Sequence, residues 1–170
     1  NIVIVGGGAT GIEVAGILSE MKKFVLPNDY PDMPSSLMHI YLIEAGPRLL
    51  VGMSEESSAH AEQFLREMGV NILLNKRVVD YRDHKVVLED GTEIATRTFI
   101  WVSGVTGVTI GNLDASLIGR GGRIKVDSFN RVEGMNNVFA IGDQCIQLAD
   151  ENYPNGHPQL AQVAIQQGEL

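Results

Sequence analysis

The sequence predicts an α/β protein, a doubly wound parallel sheet with an inserted antiparallel β-meander. Three observations carry that prediction. Residues 1–5 form an apolar run that ends in Gly6, Gly7 and Gly8, and an amphipathic helical pattern follows from Gly11. Two more near-continuous apolar runs, at residues 39–44 and 70–74, flank a second helical pattern. Strands of this kind, alternating with helices, build parallel sheets covered on both faces. From Lys76 the texture changes to short segments bounded by turn residues, as in a meander.

Each element has a local reason. Behind the glycine turn, Val14, Ile17, Leu18 and Met21 recur at helical spacing, so these four are expected to face the core. Pro27, Pro31 and Pro34 then crowd a polar stretch with Asn28, Asp29 and Asp32, where a surface loop is expected because proline cannot continue a helix. Ser54 with Glu55 and Glu56 reads as the N-cap and acidic first turn of the second helix. That helix is expected to turn Ala61, Phe64, Leu65 and Met68 inward and to close at Gly69. Asp90-Gly91 marks a turn within the meander, which is read as running on through the apolar run at 98–102. After Gly121 and Gly122 the sheet is expected to resume with residues 124–127 and 138–141, and a tail helix to start with Pro158 in its first turn.

Composition narrows the function classes. At 170 residues, 44% hydrophobic and 20% charged, the chain fits one globular domain with a sizeable core. Thirteen Lys+Arg against twenty-one Asp+Glu give a net charge of −8, the wrong sign for a nucleic-acid partner or an anionic lipid surface. No apolar stretch approaches the roughly 18 residues of a spanning helix, so no membrane contact is expected of this piece. The single cysteine, Cys145, suits a reducing, cytoplasmic setting. His39, His60, His84 and His157 are scattered without metal-ligand spacing, and no metal is expected. The start at Asn1, directly on a strand, is read as a cut from a longer chain.

Gly6-Gly7-Gly8-Ala9-Thr10-Gly11 fits G-x-G-x-x-G in the context that gives the pattern meaning, after a strand and at the start of a helix. Gly6 permits the tight turn, Gly8 lets backbone approach a pyrophosphate, and Gly11 lets helix and strand pack closely. The helix N-terminus adds unpaired N–H groups and about +0.5 of a charge, so an acidic chain can hold a diphosphate locally. Gly6, Gly8, Thr10 and Gly11 are therefore candidates for binding a dinucleotide. Glu44 ends the second strand, where a carboxylate can accept from both adenosine ribose hydroxyls and repel a 2′-phosphate, which favours NAD over NADP. It lies 33 residues past Gly11 rather than the usual ~20, and the proline-rich insert accounts for the excess. A strand-end glutamate can also be merely solvated, and Arg48 reads equally as an adenine neighbour or a plain surface arginine.

With these residues in view, the chain resembles the NADH-binding part of the type II NADH:quinone oxidoreductases (NADH dehydrogenases), FAD-dependent flavoproteins of the pyridine nucleotide-disulfide oxidoreductase superfamily with a Rossmann-like FAD/NAD(P)-binding fold. The landmarks are Gly-Gly-Gly-Ala-Thr-Gly-Ile-Glu (6–13), Ile-Glu-Ala-Gly-Pro-Arg-Leu-Leu (43–50), Ile-Trp-Val-Ser-Gly (100–104), Asn-Val-Phe-Ala-Ile-Gly-Asp (137–143) and Pro-Gln-Leu-Ala-Gln-Val-Ala-Ile-Gln-Gln-Gly (158–168). The resemblance implies hydride transfer from NADH to FAD and electron delivery to a membrane quinone, without proton pumping. It places Glu13, Ser103 and Gly104 near the nicotinamide, Gly142 and Asp143 at the flavin ribityl chain, and Gln162 and Gln166 near the flavin ring and quinone. Glu13, Gln162 and Gln166 are its catalytic candidates. Each has a bland alternative: an acid complementing the helix dipole for Glu13, the polar face of a helix for the glutamines, an ordinary turn for Ser103. Ile165 stands where some relatives carry an aromatic or histidine.

The sequence holds one glycine-rich strand–turn–helix, whereas a complete flavoprotein of this type needs another for FAD. Residues 1–132 are accordingly expected to form the NAD(H)-binding domain and residues 133–170 a returning segment of an FAD-binding domain. Alone, the piece is expected to bind NADH modestly, to bind no FAD and to turn over nothing. Its tail helix, with Leu160, Val163 and Ala164 bared, is expected to be mobile or to form a homodimer contact. The parent is expected at the inner face of the cytoplasmic membrane as a peripheral protein. Two other readings stay open: an NADH-dependent flavoprotein reductase of a disulfide, ferredoxin or other soluble acceptor, and a non-catalytic NADH-sensing module that needs Gly6, Gly8, Gly11 and Glu44 but not Asp143 or the tail glutamines.

Overall fold

The computed structural model describes residues 1–108 and 110–169. The chain divides into two compact units, Asn1–Gly104 and Val105–Leu170. The first begins with strand β1 (Ile2–Val5), helix α1 (Ala9–Glu20), a π-helical turn (Met21–Val25) and a short helix α2 (Leu26–Asp29). Strand β2 (Ile40–Ile43), helix α3 (Glu55–Glu67) and strand β3 (Val70–Leu73) follow, then β4 (Val78–Arg82), β5 (Lys85–Leu88), β6 (Glu93–Ala95) and β7 (Thr98–Trp101).

A parallel sheet of order β3-β2-β1-β7 organises this unit. One side of it packs Ile4, Ile40, Leu42 and Ile72 with Ala15 of α1 and Leu65 of α3. The other side packs Val3, Val5 and Ile43 against Val86, Leu88 and Ile94, so the antiparallel β4-β5-β6 meander is the second cover. With both faces occupied, the strands read as unbroken apolar runs rather than alternating ones.

Four local expectations are corrected here. The run at 98–102 leaves the meander and pairs parallel with β1, Val3 against Phe99, extending the main sheet. Ile17 of helix α1 and Met21 of the π-helical turn after it are exposed; the inward edge of α1 is Gly11, Ala15 and Ser19, with Ile12, Val14 and Leu18 partly covered. Small residues let this helix approach the sheet closely, and that turns the bulky periodicity aside. Phe64 likewise points outward while Leu65 is fully buried. The prolines do not confine residues 27–34 to a loop, because Pro27 is accommodated in α2, which continues directly from the π-helical turn Met21–Val25. Other signals hold: Ser54 caps α3 by accepting from the Ser57 N–H at 3.1 Å, and Gly69 ends it with φ +83°.

The second unit contains β8 (Ile124–Val126), β9 (Cys145–Gln147) and α4 (Ala161–Gly168). Strands β8 and β9 pair parallel as a separate two-stranded sheet over a core of Ile124, Val126, Val132, Ala140 and Cys145. Residues 138–141 form only a single bridge, Phe139 with Arg131, rather than a sheet strand. Their apolar side chains, Ala140 excepted, are exposed. The expected boundary at 132/133 falls inside this unit, since β8 and Val132 pack with residues beyond it. Helix α4 starts at Ala161, past Pro158, and packs on the 142–144 turn of its own unit through Ala164 and Gln167.

Candidate functional site

The glycine turn is shaped from three sides. Gly6 has φ +116°, and a side chain there would press within 3.0–3.1 Å of Ser103, so the 103–104 turn at the end of β7 lies directly against it. A Cβ on Gly11 would collide with the Gly6 carbonyl oxygen, which makes glycine obligatory where α1 crosses the strand end. Gly8 differs: a Cβ would meet nothing within 4 Å, and the residue is exposed at the N-cap of α1 with no side chain to cap the helix. The uncapped N–H groups of a three-turn helix thus open onto free space beside exposed Thr10. That space, those donors and the absence of a side chain fit a dinucleotide diphosphate.

Glu44 is tied into the turn rather than solvated. Its Oε2 accepts the Gly7 N–H at 2.7 Å and its Oε1 accepts the Gly46 N–H at 2.6 Å. Each carboxylate oxygen keeps a second lone pair for a further donor such as a ribose hydroxyl. Arg48 is not an idle surface arginine: Nη1 donates to the Leu50 carbonyl at 3.2 Å, and Nη2 to those of Val51 and Met53 at 3.0 and 3.1 Å. Ser103 is exposed and its carbonyl accepts the Trp101 indole N–H at 2.7 Å, while Gly104 has φ +81°. Glu13 is exposed and lies beyond the first turn of α1, which holds no acid. The first unit therefore gathers Gly6, Gly8, Gly11, Glu44, Ser103 and Gly104 around the carboxyl ends of β1, β2 and β7, the edge of a parallel α/β sheet where ligands bind.

The remaining candidates lie in the second unit. Gly142 has φ +65°, and its N–H donates to Gln167 Oε1 at 2.7 Å. Asp143 is exposed, its backbone carbonyl accepting from Gln159 Nε2 at 3.2 Å. Gln162 and Gln166 are exposed one turn apart on α4. Gln167, which sequence reasoning passed over, joins this unit together. Besides Gly142 it receives the Cys145 thiol at 3.6 Å, and its backbone carbonyl accepts from Asn130 Nδ2 at 3.3 Å. Burial pushes the Cys145 thiol above its ordinary range, so it is a structural rather than reactive cysteine. A cleft of about 460 Å³ is lined by Asn130, Tyr153, His157, Leu160, Val163 and Gln166. At its margin His157 Nε2 meets Asp150 Oδ2 at 2.9 Å.

Among the described residues no cluster of His, Cys, Asp and Glu could hold a metal ion, and no helix is long and apolar enough to cross a membrane. The family described as pyridine nucleotide-disulphide oxidoreductase matches residues 1–168. The chain belongs to that family. Among curated relatives, it is 34% identical over 153 residues to a type II NADH:quinone oxidoreductase of Haemophilus influenzae, covering 89% of this chain and 34% of that protein. It is 32% identical over 175 residues to the type II NADH:quinone oxidoreductase NdhA of Mycobacterium tuberculosis, covering 98% of this chain and 36% of the relative. Among solved structures, NDH2 of Plasmodium falciparum in complex with NADH superposes with a TM-score of 0.69 at 25% identity, over 86% of this chain and 32% of that one. The chain thus spans about a third of the length of these relatives. A ferredoxin reductase from Rhodopseudomonas palustris, at 18% identity and a TM-score of 0.70, shares the fold.

Proposed function

We propose that this chain is the NADH-binding part of a flavoprotein oxidoreductase that passes hydride from NADH to FAD and electrons on to a membrane quinone. The observation that carries the reading is the glycine turn: open at Gly8, close-packed at Gly11, and fastened by Gly7 to the strand-end carboxylate of Glu44. The relatives that are NADH:quinone oxidoreductases, and the NADH complex of one NDH2, support the choice of donor and acceptor.

In this reading the diphosphate lies on the N-terminus of α1 over Gly8 and Thr10. The free lone pairs of Glu44 accept the adenosine ribose hydroxyls, and their negative charge disfavours a 2′-phosphate. Ser103 and Gly104 border the nicotinamide, and Glu13 orients its carboxamide or handles a proton. The flavin of such a protein supplies acceptance of two electrons as hydride. Of its site, this chain contributes Gly142 and Asp143, with Gln162 and Gln166 toward the quinone. The sequence-based division, a nicotinamide-nucleotide domain followed by a returning flavin segment, is retained as a proposal for the parent protein, with nucleotide recognition confined to residues 1–104. By itself the piece binds NADH modestly, holds no FAD and is inactive. Any self-association would use α4, where Ile165 is exposed.

The test is steady-state oxidation of NADH and NADPH by the full-length protein with a short-chain quinone, a disulfide and a ferredoxin as acceptors. Preferential NADH:quinone turnover supports the reading, whereas turnover with only a soluble acceptor, or with none, overturns it. Separately, a stoichiometric flavin co-purifying with the 170 residues alone would contradict the division.

A further inference from the structure

Leu50 is one of the few non-glycine residues with a left-handed backbone, at φ +48°. Leucine adopts this region at a cost, and such residues persist where neighbours hold them. Three neighbours hold Leu50. Its N–H donates to the Gly7 carbonyl at 2.8 Å, and its own carbonyl accepts from the Met53 N–H at 2.8 Å and from Arg48 Nη1 at 3.2 Å. The same guanidinium closes the turn by binding the carbonyls of Val51 and Met53. Through Leu50, this turn therefore grips the Gly7–Gly8 peptide. In a trans peptide the carbonyl and the N–H point in opposite directions. Pinning the Gly7 carbonyl on Leu50 aims the Gly8 N–H the other way, from an exposed residue beside which even a Cβ would find open space.

We infer that Arg48 is a positioning residue for the pyridine nucleotide: it holds Leu50 left-handed, and Leu50 in turn aims the Gly8 N–H at the diphosphate. This deepens the NADH-binding reading above and rests on it. The guanidinium of Arg48 donates to three carbonyls of this turn, so it acts through the glycine turn rather than through direct contact with the nucleotide.

The experiment uses the full-length protein, with NADH titrated by calorimetry and turnover measured against a short-chain quinone. Arg48→Met is expected to raise both the NADH Kd and KM by roughly tenfold, the scale of one lost hydrogen bond to a charged group, and to leave kcat unchanged. Arg48→Lys, which keeps a donor, is expected to fall between. The decisive variant is Arg48→Met with Leu50→Gly. Glycine enters the left-handed region freely, so the double variant is expected to recover most of the lost affinity. Unchanged NADH affinity in Arg48→Met overturns the inference. So does a loss that Leu50→Gly fails to rescue, which would mean that Arg48 touches the nucleotide directly. Failure of the unsubstituted protein to bind NADH is a different result, since it defeats the functional reading itself.

Discussion

Replacing Glu44 by glutamine tests whether this carboxylate is a selectivity filter alone or also a strut of the glycine turn. Both oxygens face backbone donors, at 2.7 Å from Gly7 and 2.6 Å from Gly46. A glutamine amide offers one oxygen and one NH2 group, so in either orientation one of the two N–H groups faces another donor. A hydrogen bond to a charged group contributes about 1.5–3 kcal/mol. Losing one at this half-buried position should lower the stability of the first unit by about 2 kcal/mol and NADH affinity by roughly 10- to 30-fold. Removal of the negative charge lessens repulsion of a 2′-phosphate, so the NADH:NADPH ratio should shrink, but NADPH should not reach the affinity NADH has for the unsubstituted site. Trp101 gives the assay: it is the sole tryptophan, it is 55% exposed, and it sits on the strand beside β1. Titrating both nucleotides against its fluorescence, with thermal melts in parallel, separates binding from folding. A Glu44→Gln protein that melts normally and binds NADH within twofold of the original would refute the strut. One that then binds NADPH as tightly as the original binds NADH would show that charge was its whole role.

Gly8→Ala and Gly11→Ala should behave oppositely: the first leaves the urea midpoint unchanged and weakens only NADH binding, whereas the second, colliding with the Gly6 carbonyl, destabilises the fold by at least about 1–3 kcal/mol. Leu65→Ala, at a side chain 1% exposed, should cost about 2–5 kcal/mol in a denaturant titration through the cavity it leaves beneath α3. The second unit should be acid-sensitive. Asp114 is held below the ordinary carboxylate range by the Ser116 backbone N–H, Asp127 by that of Arg131, and Asp150 chiefly by His157. A carboxyl with a depressed folded pKa stabilises above its unfolded value, near 3.9, and that contribution disappears as pH falls through the folded value. Urea midpoints should therefore drop between about pH 5 and 2, and Asp127→Asn should flatten the curve; an unchanged slope would argue against these bonds.

Much of the first unit was legible because its signals are local. Ser54 and Gly69 bracket α3 through hydrogen-bond chemistry that depends only on neighbouring residues. The strand–glycine–helix order likewise needs no distant partner. Side-chain direction was less legible wherever packing overrides periodicity. In α1 the small edge Gly11-Ala15-Ser19 won the core from Ile17 and Met21. The run at 98–102 looked like meander because its short length suits either sheet, and the open edge of β1 decided its partner. Residues 138–141 have the composition of a buried strand but make one bridge, since a strand exists only where another pairs with it.

The candidate site divides along the same line. The places without side chains, Gly6, Gly8 and Gly11, were readable from residue identity at fixed spacing, whereas packing decided that Gly8 alone of the three lies open. The sequence by itself also determined that a carboxylate would stand at the end of β2. What Glu44 and Arg48 do there was decided only by tertiary structure. The Gly7–Glu44 bond spans 37 residues of chain and exists because β1 and β2 pair in register, Val5 against Ile43. The bond between Gly7 and Leu50 has the same origin. A hydrogen bond between residues so far apart depends on the orientation of both partners to within a fraction of an ångström. No local propensity encodes that; the packed sheet supplies it.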